Sequence, residues 1–277
     1  MKSERLSAES SNLSTLKSQL SSLAKQYETK EFLDGDPSWF MHQVEGEANK
    51  ELLAFIASAL SYGSRKQFLP KIQYILDCSK GDVNQWLLSD RYKYDITDNE
   101  ECYYRLYTNH TMILFLDSLT ELLRQHGSLK NYVKQELTLI SQPPSRQALD
   151  AIKAIVHWFT PAENSECYSA EKENKGSVIP KSTSSSCKRI CMFLRWMVRD
   201  NSPVDLGLWS DIIDKRTLIM PLDTHVIQEA KRIGLLTSKS ASMTTAIKLT
   251  NKIKEIFPDD PLKGDFALFG LGVDNNN

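Results

Sequence analysis

The amino-acid sequence predicts an all-α fold, and three observations support that class. Apolar residues recur at spacings of three and four along much of the chain, which is the period of an amphipathic helix. The alternation of apolar and polar residues that is typical of half-buried strands is scarce, and short polar joints separate one helical segment from the next. The chain has 277 residues, of which 41% are hydrophobic and 25% are charged, enough for a sizeable core.

The predicted helices follow one another from the N-terminus with one marked break. Residues spaced three or four apart predict an amphipathic first helix: Leu13, Leu16, Leu20, Leu23 and Tyr27. The segment GEANKELLAFIASALSYGSRKQFLPKIQYIL predicts a buried helix over residues 47–62, a break at Gly63 and a second helix to Leu76. Further helices are predicted over residues 104–116, 119–126, 129–139, 145–159, 188–199, 224–233 and 243–256, before the apolar tail DDPLKGDFALFGLGV.

Residues 160–186 differ in amino-acid composition from the rest of the chain. The segment TPAENSECYSAEKENKGSVIPKSTSSS carries few large apolar side chains, so a polar surface loop is predicted there. No internal repeat is visible. Residues 1–277 are therefore expected to form a single unit, made of two helical lobes.

Composition and cysteine spacing exclude several classes of protein. The formal net charge of −1 excludes a protein that is strongly basic along its whole length. A nucleic-acid binder with this charge needs cations that are clustered locally. The five cysteines are odd in number and form no CxxC pair, which favours a reducing compartment and predicts neither a disulfide framework nor a metal site. The N-terminus lacks the apolar core of a signal peptide, and no run of about 18 apolar residues predicts a membrane span.

The segment CKRICMFLRWMVRD predicts a helix with cations on one side. Its core face carries Ile190, Phe193, Leu194, Met197 and Val198. Lys188, Arg195 and Arg199 share the opposite face, with Arg189 at its flank, and no acid occurs over residues 181–199. A solvated cationic face is one interpretation, whereas a stripe of a single sign suits contacts with phosphates.

The segment MPLDTHVIQEAKRIGLL places Asp223 just before a predicted helix. Val226, Ala230 and Ile233 lie on one face of that helix, and Gly234 marks its end. As an N-cap, the carboxylate of Asp223 accepts a hydrogen bond from the backbone of the first turn. If the same group faces a cleft, it is also suited to stabilising a cationic transition state or to accepting a proton from a lysine.

These two segments together resemble the helix-hairpin-helix DNA glycosylases, the superfamily of endonuclease III and the 8-oxoguanine glycosylases. PLDTHVIQEAKRIGL resembles the family's VDTHV element, and the resemblance places the essential aspartate at Asp223. CKRICMFLRWMVR resembles the helix after the family's hairpin and places the lysine nucleophile at Lys188. The family's hairpin is usually rich in glycine, as in LPGVGxK, whereas this chain has IPKSTSSSCK.

The chain also resembles, over nearly its whole length, a bacterial family described only as conserved and of unknown function. The segments that carry this resemblance are CKRICMFLRWMVRDNSPVDLGLW, PLDTHV and DPLKGDFALFGLGV. The resemblance to the glycosylases implies an all-α, two-lobed fold. It also implies DNA contacts at the turn in LLAFIASALSYGSRKQF.

The candidate site residues fall into two further groups. Together with the cationic stripe, the resemblance gives as candidate DNA contacts Ser61, Tyr62, Gly63, Arg65, Lys66, Arg189, Arg195, Arg199 and His225. The candidates for a pocket that reads a flipped base are Trp196, Trp209, Asp265, Phe266 and Phe269. The alternative for the aromatic residues is core packing, and for Asp265 it is capping of the last helix.

The function that the resemblance implies is excision of an oxidised purine, such as 8-oxoguanine, from double-stranded DNA. Lys188 is expected to be the nucleophile, which requires loss of a proton since an ordinary lysine has a pKa of about 10.4. Asp223 is expected to be its electrostatic and proton-transfer partner. A cytoplasmic, nucleoid-associated monomer is expected, with no cofactor and no metal.

Two alternatives come from other classes of protein. The glycine-poor hairpin favours a non-catalytic DNA-binding or lesion-sensing protein that keeps the glycosylase fold. The net charge near zero favours a helical protein–protein adaptor.

Overall fold

The computed structural model describes residues 2–140, 144–160 and 178–274, with side chains over residues 14–140, 145–160 and 178–273. Within these residues the fold is mostly helical, which confirms the predicted all-α class. The helices are α1 (Lys2–Tyr27), α2 (Glu47–Leu60), α3 (Arg65–Ser79), α4 (Val83–Leu88), α5 (Tyr92–Asp95), α6 (Asn109–His126), α7 (Leu129–Leu139), α8 (Gln147–Phe159), α9 (Lys188–Val198), α10 (Thr224–Arg232), α11 (Met243–Lys254) and α12 (Lys263–Asp274). A short antiparallel hairpin pairs β1 (Cys102–Tyr104) with β2 (Tyr107–Thr108).

Helix α2 is buried from Glu51 to its last residue and packs against α9. The rings of Phe55 and Phe193 join the two helices edge to face, with centroids 5.1 Å apart. Glu51 is a charged residue in this apolar environment, and its carboxylate accepts hydrogen bonds from the backbone N–H of Leu129 at 3.0 Å and from Nε1 of Trp209 at 2.8 Å. These bonds satisfy a polar group whose burial is otherwise costly.

Helix α12, predicted only as an apolar tail, packs along α1. Gly270 lets the two helices approach, because a Cβ at this position would collide with the ring of Tyr27. The same ring packs edge to face on Phe269, with centroids 5.7 Å apart. Leu20 in α1 is fully buried, so the first helix forms part of the core.

The region around α6 differs from its prediction. Helix α6 begins at Asn109 and joins most of the predicted helix 104–116 to the predicted helix 119–126. Ser118, between the two, is fully buried within the continuous helix. The residues ahead of α6 form the hairpin instead. Arg105 has a φ of +52°, a left-handed conformation that reverses the chain between β1 and β2.

The predicted bounds of the later helices agree with the structure, whereas the predicted surface loop is described only in part. The bounds of α7 to α11 agree with the prediction within two residues. Most of the predicted surface loop, residues 161–177, and the side chain of Leu13 lie outside the described residues. Residues 178–186 form no helix or strand, and residues 180–185 are exposed or half-buried, as predicted, whereas Val178, Ile179 and Ser186 are buried.

Candidate functional site

The turn before α9 places Lys188 at the first residue of that helix. The preceding residue, Cys187, has a φ of +46°, in the left-handed region that is strained for a residue with a side chain. A cysteine therefore adopts a conformation that favours glycine. Ser185 in the same turn forms an antiparallel bridge with Ser242, just before α11, which fixes the turn to the body of the protein.

Ser186 joins the turn before Lys188 to the turn before Asp223. Its Oγ donates a hydrogen bond to the carbonyl oxygen of Leu222 at 3.0 Å, and both residues are buried. The bond therefore sets the spacing of the two chain segments that carry the candidate amine and acid. Sequence reasoning missed Ser186, although the serine run ahead of the lysine was a signal that side chains replace glycine in this turn.

We expect Ser186→Ala to lower the free energy of unfolding by about 1–2 kcal/mol, because the buried carbonyl of Leu222 loses its partner. Ser184→Ala is the matched control, since its side chain is exposed two residues earlier, and it should change stability by less than about 0.5 kcal/mol. Urea unfolding followed by circular dichroism measures both. Equal effects of the two substitutions would show that Ser186 does not hold the two turns together.

The structure brings Lys188 and Asp223 together. Nζ of Lys188 lies 2.8 Å from Oδ2 of Asp223, although 35 positions separate the two residues in the chain. The lysine side chain is 38% exposed and that of the aspartate 29%, so the ion pair is accessible from solvent.

Each oxygen of the Asp223 carboxylate has its own partner. Oδ1 accepts the backbone N–H of Val226 at 2.9 Å and caps α10, while Oδ2 faces Lys188. The interpretation as a helix cap is therefore confirmed, while a role in proton transfer or in stabilising a cationic transition state stays a prediction. Burial opposes ionisation, but the charge and hydrogen bond of Lys188, the bond from Val226 and the nearby His225 outweigh it and hold the pKa of Asp223 below its ordinary value.

This direction of the shift predicts a pH-dependent stability. Because the folded-state pKa of Asp223 is lowered, its ionised form stabilises the fold above the ordinary carboxyl pKa, and this contribution is lost as the pH falls through the folded-state pKa. Asp223→Asn keeps an oxygen for the cap but removes the charge. We expect the variant to be less stable by about 0.5–1 kcal/mol between about pH 5 and pH 7, with the difference shrinking below about pH 4. Urea titrations over this range test it, and a difference that grows on acidification would contradict it.

A cluster of aromatic and cationic side chains lies beside Lys188. Arg189, the next residue of α9, donates hydrogen bonds through Nη1 to the carbonyl of Ala59 at 2.5 Å and to the hydroxyl of Tyr107 at 2.9 Å. Its guanidinium also lies over the ring of Tyr62, and that of Arg105 lies over the same ring at 4.9 Å. Tyr62 is 43% exposed, so this cluster is accessible next to the candidate lysine.

One known protein family matches most of the chain, including the residues of the candidate site. Residues 36–274 match the model of a family described as a protein of unknown function (DUF2400). The chain belongs to this family. No curated protein and no solved structure matches the DUF2400 chain. The match includes the two candidate side chains and helices α2 to α12, whereas it leaves out the first 35 residues and with them α1.

The predicted cationic stripe of this DUF2400 protein requires a correction. The side chains of Arg195 and Arg199 are 4% and 1% exposed, so neither is accessible for the DNA contact that the sequence predicted. Asp205 lies between them, 3.3 Å from Arg195 and 2.5 Å from Arg199. Arg199 also pairs through Nε and Nη2 with both carboxylate oxygens of Asp260, and with Glu28 at 2.7 Å. Arg195 and Arg199, on the face opposite the core stripe, are thus paired with acidic residues from outside the helix: Asp205 lies in the segment that follows it, and Asp260 and Glu28 lie in distant segments.

Asp265 belongs to the same buried network. Its carboxylate lies 2.5 Å from Nη1 of Arg195 and its side chain is 15% exposed, so it pairs with a cation, and contact with a base edge stays a prediction. Burial raises the pKa of Asp265, and the charge of Arg195 opposes that rise. The charges of Asp223 and Lys188 also act on this carboxyl, which puts the network directly behind the candidate ion pair.

The predicted base pocket is also corrected. Trp196, Trp209 and Phe266 are fully buried in the core of the DUF2400 fold. Trp209 donates to Glu51, and the ring of Phe266 packs under the guanidinium of Arg195 at 4.6 Å. The fourth aromatic candidate, Phe269, is 38% exposed but packs on the rings of Tyr27 and Phe32. Core packing, the alternative stated for these aromatic residues, describes the three buried ones.

The other predicted DNA contacts lie on the surface. Arg65 and Lys66 are exposed at the start of α3, with Arg65 paired to Asp36 at 3.1 Å, and His225 is exposed in the first turn of α10. Ser61 is tied to α2, because its Oγ donates to the carbonyl of Ala57. Gly63 has a φ of +90°, and a Cβ there would collide with Arg105 and Tyr104, so the position requires glycine.

Two recesses open elsewhere on the described surface. One of about 310 Å³ is bordered by Arg146 and Lys254, and one of about 400 Å³ by Asp211 and Arg216. Neither is bordered by the amine or the carboxylate of the candidate pair.

The described residues contain neither a cluster of metal ligands nor a helix that could span a membrane. Within the described ranges no three residues among histidine, cysteine, aspartate and glutamate are grouped to hold a metal ion. Cys167 lies outside those ranges, and the other four cysteines are unpaired. None of the described helices combines the length and the apolar character needed to cross a membrane.

Proposed function

We propose that this protein is a DNA glycosylase with associated lyase activity, which removes an oxidised purine such as 8-oxoguanine from double-stranded DNA. The two-lobed glycosylase-like arrangement and the nucleoid location form part of the proposal. The observation that carries it is the solvent-accessible pair of Lys188 and Asp223, whose Nζ and Oδ2 atoms lie 2.8 Å apart at the starts of two helices. The resemblance of the two sequence segments to the glycosylases supports the same assignment.

In the proposed reaction the amine of Lys188 attacks C1′ of the damaged nucleotide. Nζ first loses a proton, and its lone pair forms the new bond as the bond between C1′ and the base breaks; the electron pair of that bond leaves with the base, which takes up a proton. A second proton then passes from the nitrogen to the ring oxygen O4′ as the C1′–O4′ bond breaks, and the remaining lone pair of the nitrogen forms the C=N bond of a protonated Schiff base. Borohydride reduces this C=N bond to a stable amine and thereby traps the protein on the DNA.

The carboxylate of Asp223 has a matching electrostatic role. Breaking an N-glycosidic bond builds positive charge on the sugar, and a fixed anion near C1′ stabilises that charge. The lowered pKa of Asp223 keeps the group ionised at neutral pH, and its bond to the backbone of α10 fixes its position. A carboxylate that is held in place before the reaction needs no reorganisation when charge develops.

DNA binding is assigned to exposed cations and not to the buried arginines. Lys66, Arg105 and His225 are exposed, and Arg189 is partly exposed next to the candidate lysine. Each phosphate contact of this kind contributes roughly −0.9 to the slope of log affinity against log salt concentration. Binding of the protein to duplex DNA is therefore expected to weaken steadily as salt is added.

The test is borohydride trapping of the wild-type protein on duplex DNA that contains 8-oxoguanine, with an undamaged duplex and a duplex with a preformed abasic site alongside. A covalent adduct on the damaged and abasic duplexes, but not on the undamaged one, is the expected result. An adduct on the abasic duplex alone would retain the lyase step and reject 8-oxoguanine as substrate. Absence of any adduct would overturn the proposed enzyme.

A second candidate function, a lesion-binding protein without catalysis, is favoured by one observation. Three of the four aromatic residues predicted to hold the base, Trp196, Trp209 and Phe266, are in the core, and neither described recess adjoins the ion pair. Salt-dependent binding to the damaged duplex without an adduct would support this function. Absence of binding to any DNA would leave the protein–protein adaptor.

A further inference from the structure

A recess between α8 and α11 combines an apolar lining with two cations. It has a volume of about 310 Å³, and its lining includes Leu149 on α8, Ile247 on α11 and Ile219 between these helices in the chain. Arg146, directly before α8, and Lys254, the last residue of α11, border the same recess. A volume of this size lies at the lower end of the range for pockets that bind small molecules.

Two threonine side chains hold the walls of the recess together. Oγ1 of Thr217 accepts the backbone N–H of Ala148 in α8 at 3.3 Å. Oγ1 of Thr250 in α11 accepts the backbone N–H of Met220 at 2.9 Å. Both threonines border the recess, and each hydroxyl also donates a hydrogen bond to a backbone carbonyl. The recess is therefore formed before a ligand arrives, and the two hydroxyls already have their partners within the protein.

Three other polar side chains at the recess have no partner. Within the residues that the structure describes, Arg146, Asn251 and Lys254 form neither a side-chain hydrogen bond nor an ion pair. The carboxylate whose charge acts on Lys254 is that of Asp214, and it is itself paired with Arg216 at 2.5 Å. Lys254 is half-buried, and burial lowers the pKa of its amine because the charged form loses hydration.

We infer that this recess binds a small organic anion, with its carboxylate or phosphate group between Arg146 and Lys254 and its apolar body on the aliphatic lining. Such an anion supplies the partner that the half-buried ammonium group lacks. A guanidinium group can also bind two oxygens of a carboxylate or phosphate at once. The inference is independent of the proposed function, because the recess is bordered by neither residue of the candidate pair.

The test is titration of the methyl-labelled protein with phenyl phosphate and, separately, with benzoate, followed by the NMR shifts of the methyl groups of Leu149, Ile219 and Ile247. Anions with about ten heavy atoms should bind with a dissociation constant of about 1 mM. Benzyl alcohol keeps the ring without the charge, and inorganic phosphate keeps the charge without the ring. Each should bind at least about tenfold more weakly, since it makes only one kind of contact.

Two variants place the bound anion. Arg146→Gln and Lys254→Gln should each weaken its binding by at least about tenfold, because a hydrogen bond to a charged group is lost. Lys248→Gln is the matched control, since it removes the same charge from an exposed position on α11 that does not border the recess, and it should bind as the wild type does. Unchanged unfolding midpoints would show that all three variants remain folded.

The outcomes decide both the site and its ligand. Tighter binding of phenyl phosphate than of benzoate would assign a phosphate group, the reverse order would assign a carboxylate, and either order supports the site. Absence of saturable binding of both anions to the wild type would overturn the inference, as would equal affinities for the wild type and Lys254→Gln. Inorganic phosphate that binds as tightly as phenyl phosphate would overturn the apolar half of the site. None of these results affects the borohydride test of the proposed function.

Discussion

Replacing Lys188 with glutamine is expected to abolish the borohydride adduct on abasic DNA, with a loss of at least about a thousandfold, because glutamine has no amine to form the Schiff base. The side chain is partly exposed at the start of α9, and its amide can still donate to Asp223. Folding should therefore change little, and an unchanged unfolding midpoint would show that the lost adduct reflects chemistry. Gel analysis after reduction measures the adduct directly.

The matched control is Lys134→Gln, which removes the same charge from an exposed position on α7, a helix that carries none of the candidate site residues. It should form the adduct as the wild type does. Binding of Lys188→Gln to the abasic duplex should remain within about tenfold of the wild type, since one cation among several is lost. An adduct that survives in Lys188→Gln would mean that another amine of the chain is the nucleophile, and the assignment of Lys188 would be wrong.

Replacing Arg199 with alanine is expected to lower the free energy of unfolding by about 3–5 kcal/mol, because it leaves charged partners buried without their cation. Asp205 is fully buried beside Arg199, and Asp260 receives two hydrogen bonds from the guanidinium, at 2.9 and 2.8 Å. Removal of the side chain also leaves a void against the ring of Phe266. Urea unfolding monitored by tryptophan fluorescence measures the loss.

Two further variants keep this prediction testable. Arg232→Ala removes an exposed arginine that pairs with Glu229 one turn away, and its cost should stay below about 1 kcal/mol. Arg199→Lys keeps the charge but not the paired geometry toward Asp260, so an intermediate loss is expected if the alanine variant does not fold. A loss for Arg199→Ala as small as that for Arg232→Ala would contradict a structural role for the network.

Most helices could be predicted from the sequence, since their apolar period and end signals are local. The hairpin at β1–β2 could not, because its run of tyrosines merges with the apolar residues of α6 and no glycine marks the turn. The conformation of Arg105 makes the turn instead. The predicted gap between residues 116 and 119 is also absent, since Ser118 is fully buried within the continuous helix α6.

The candidate pair could be predicted because two sequence segments carry it, and the structure adds the distance between the two groups. The burial of Arg195 and Arg199 could not be predicted, since it depends on acidic partners outside the helix, both in the following segment at Asp205 and far along the chain at Asp260 and Asp265. Lys188 and Arg195 lie on one face of α9, yet only Lys188 is accessible to solvent. The absence of acids within the helix was read as a sign of phosphate contacts, whereas Asp205, Asp260 and Asp265 supply the counter-charges after the chain returns.

The contact between Glu28 and Arg199 bears on the design of shortened versions of this protein. The family match begins at residue 36, which makes that position a tempting start for a truncated fragment. Such a fragment would lack α1 and would present the apolar side of α12, including Phe269, to water. It would also lack Glu28, one of the carboxylates that pair with the buried guanidinium of Arg199. Truncation at this boundary should therefore give aggregating material, and expression should start ahead of the first helix.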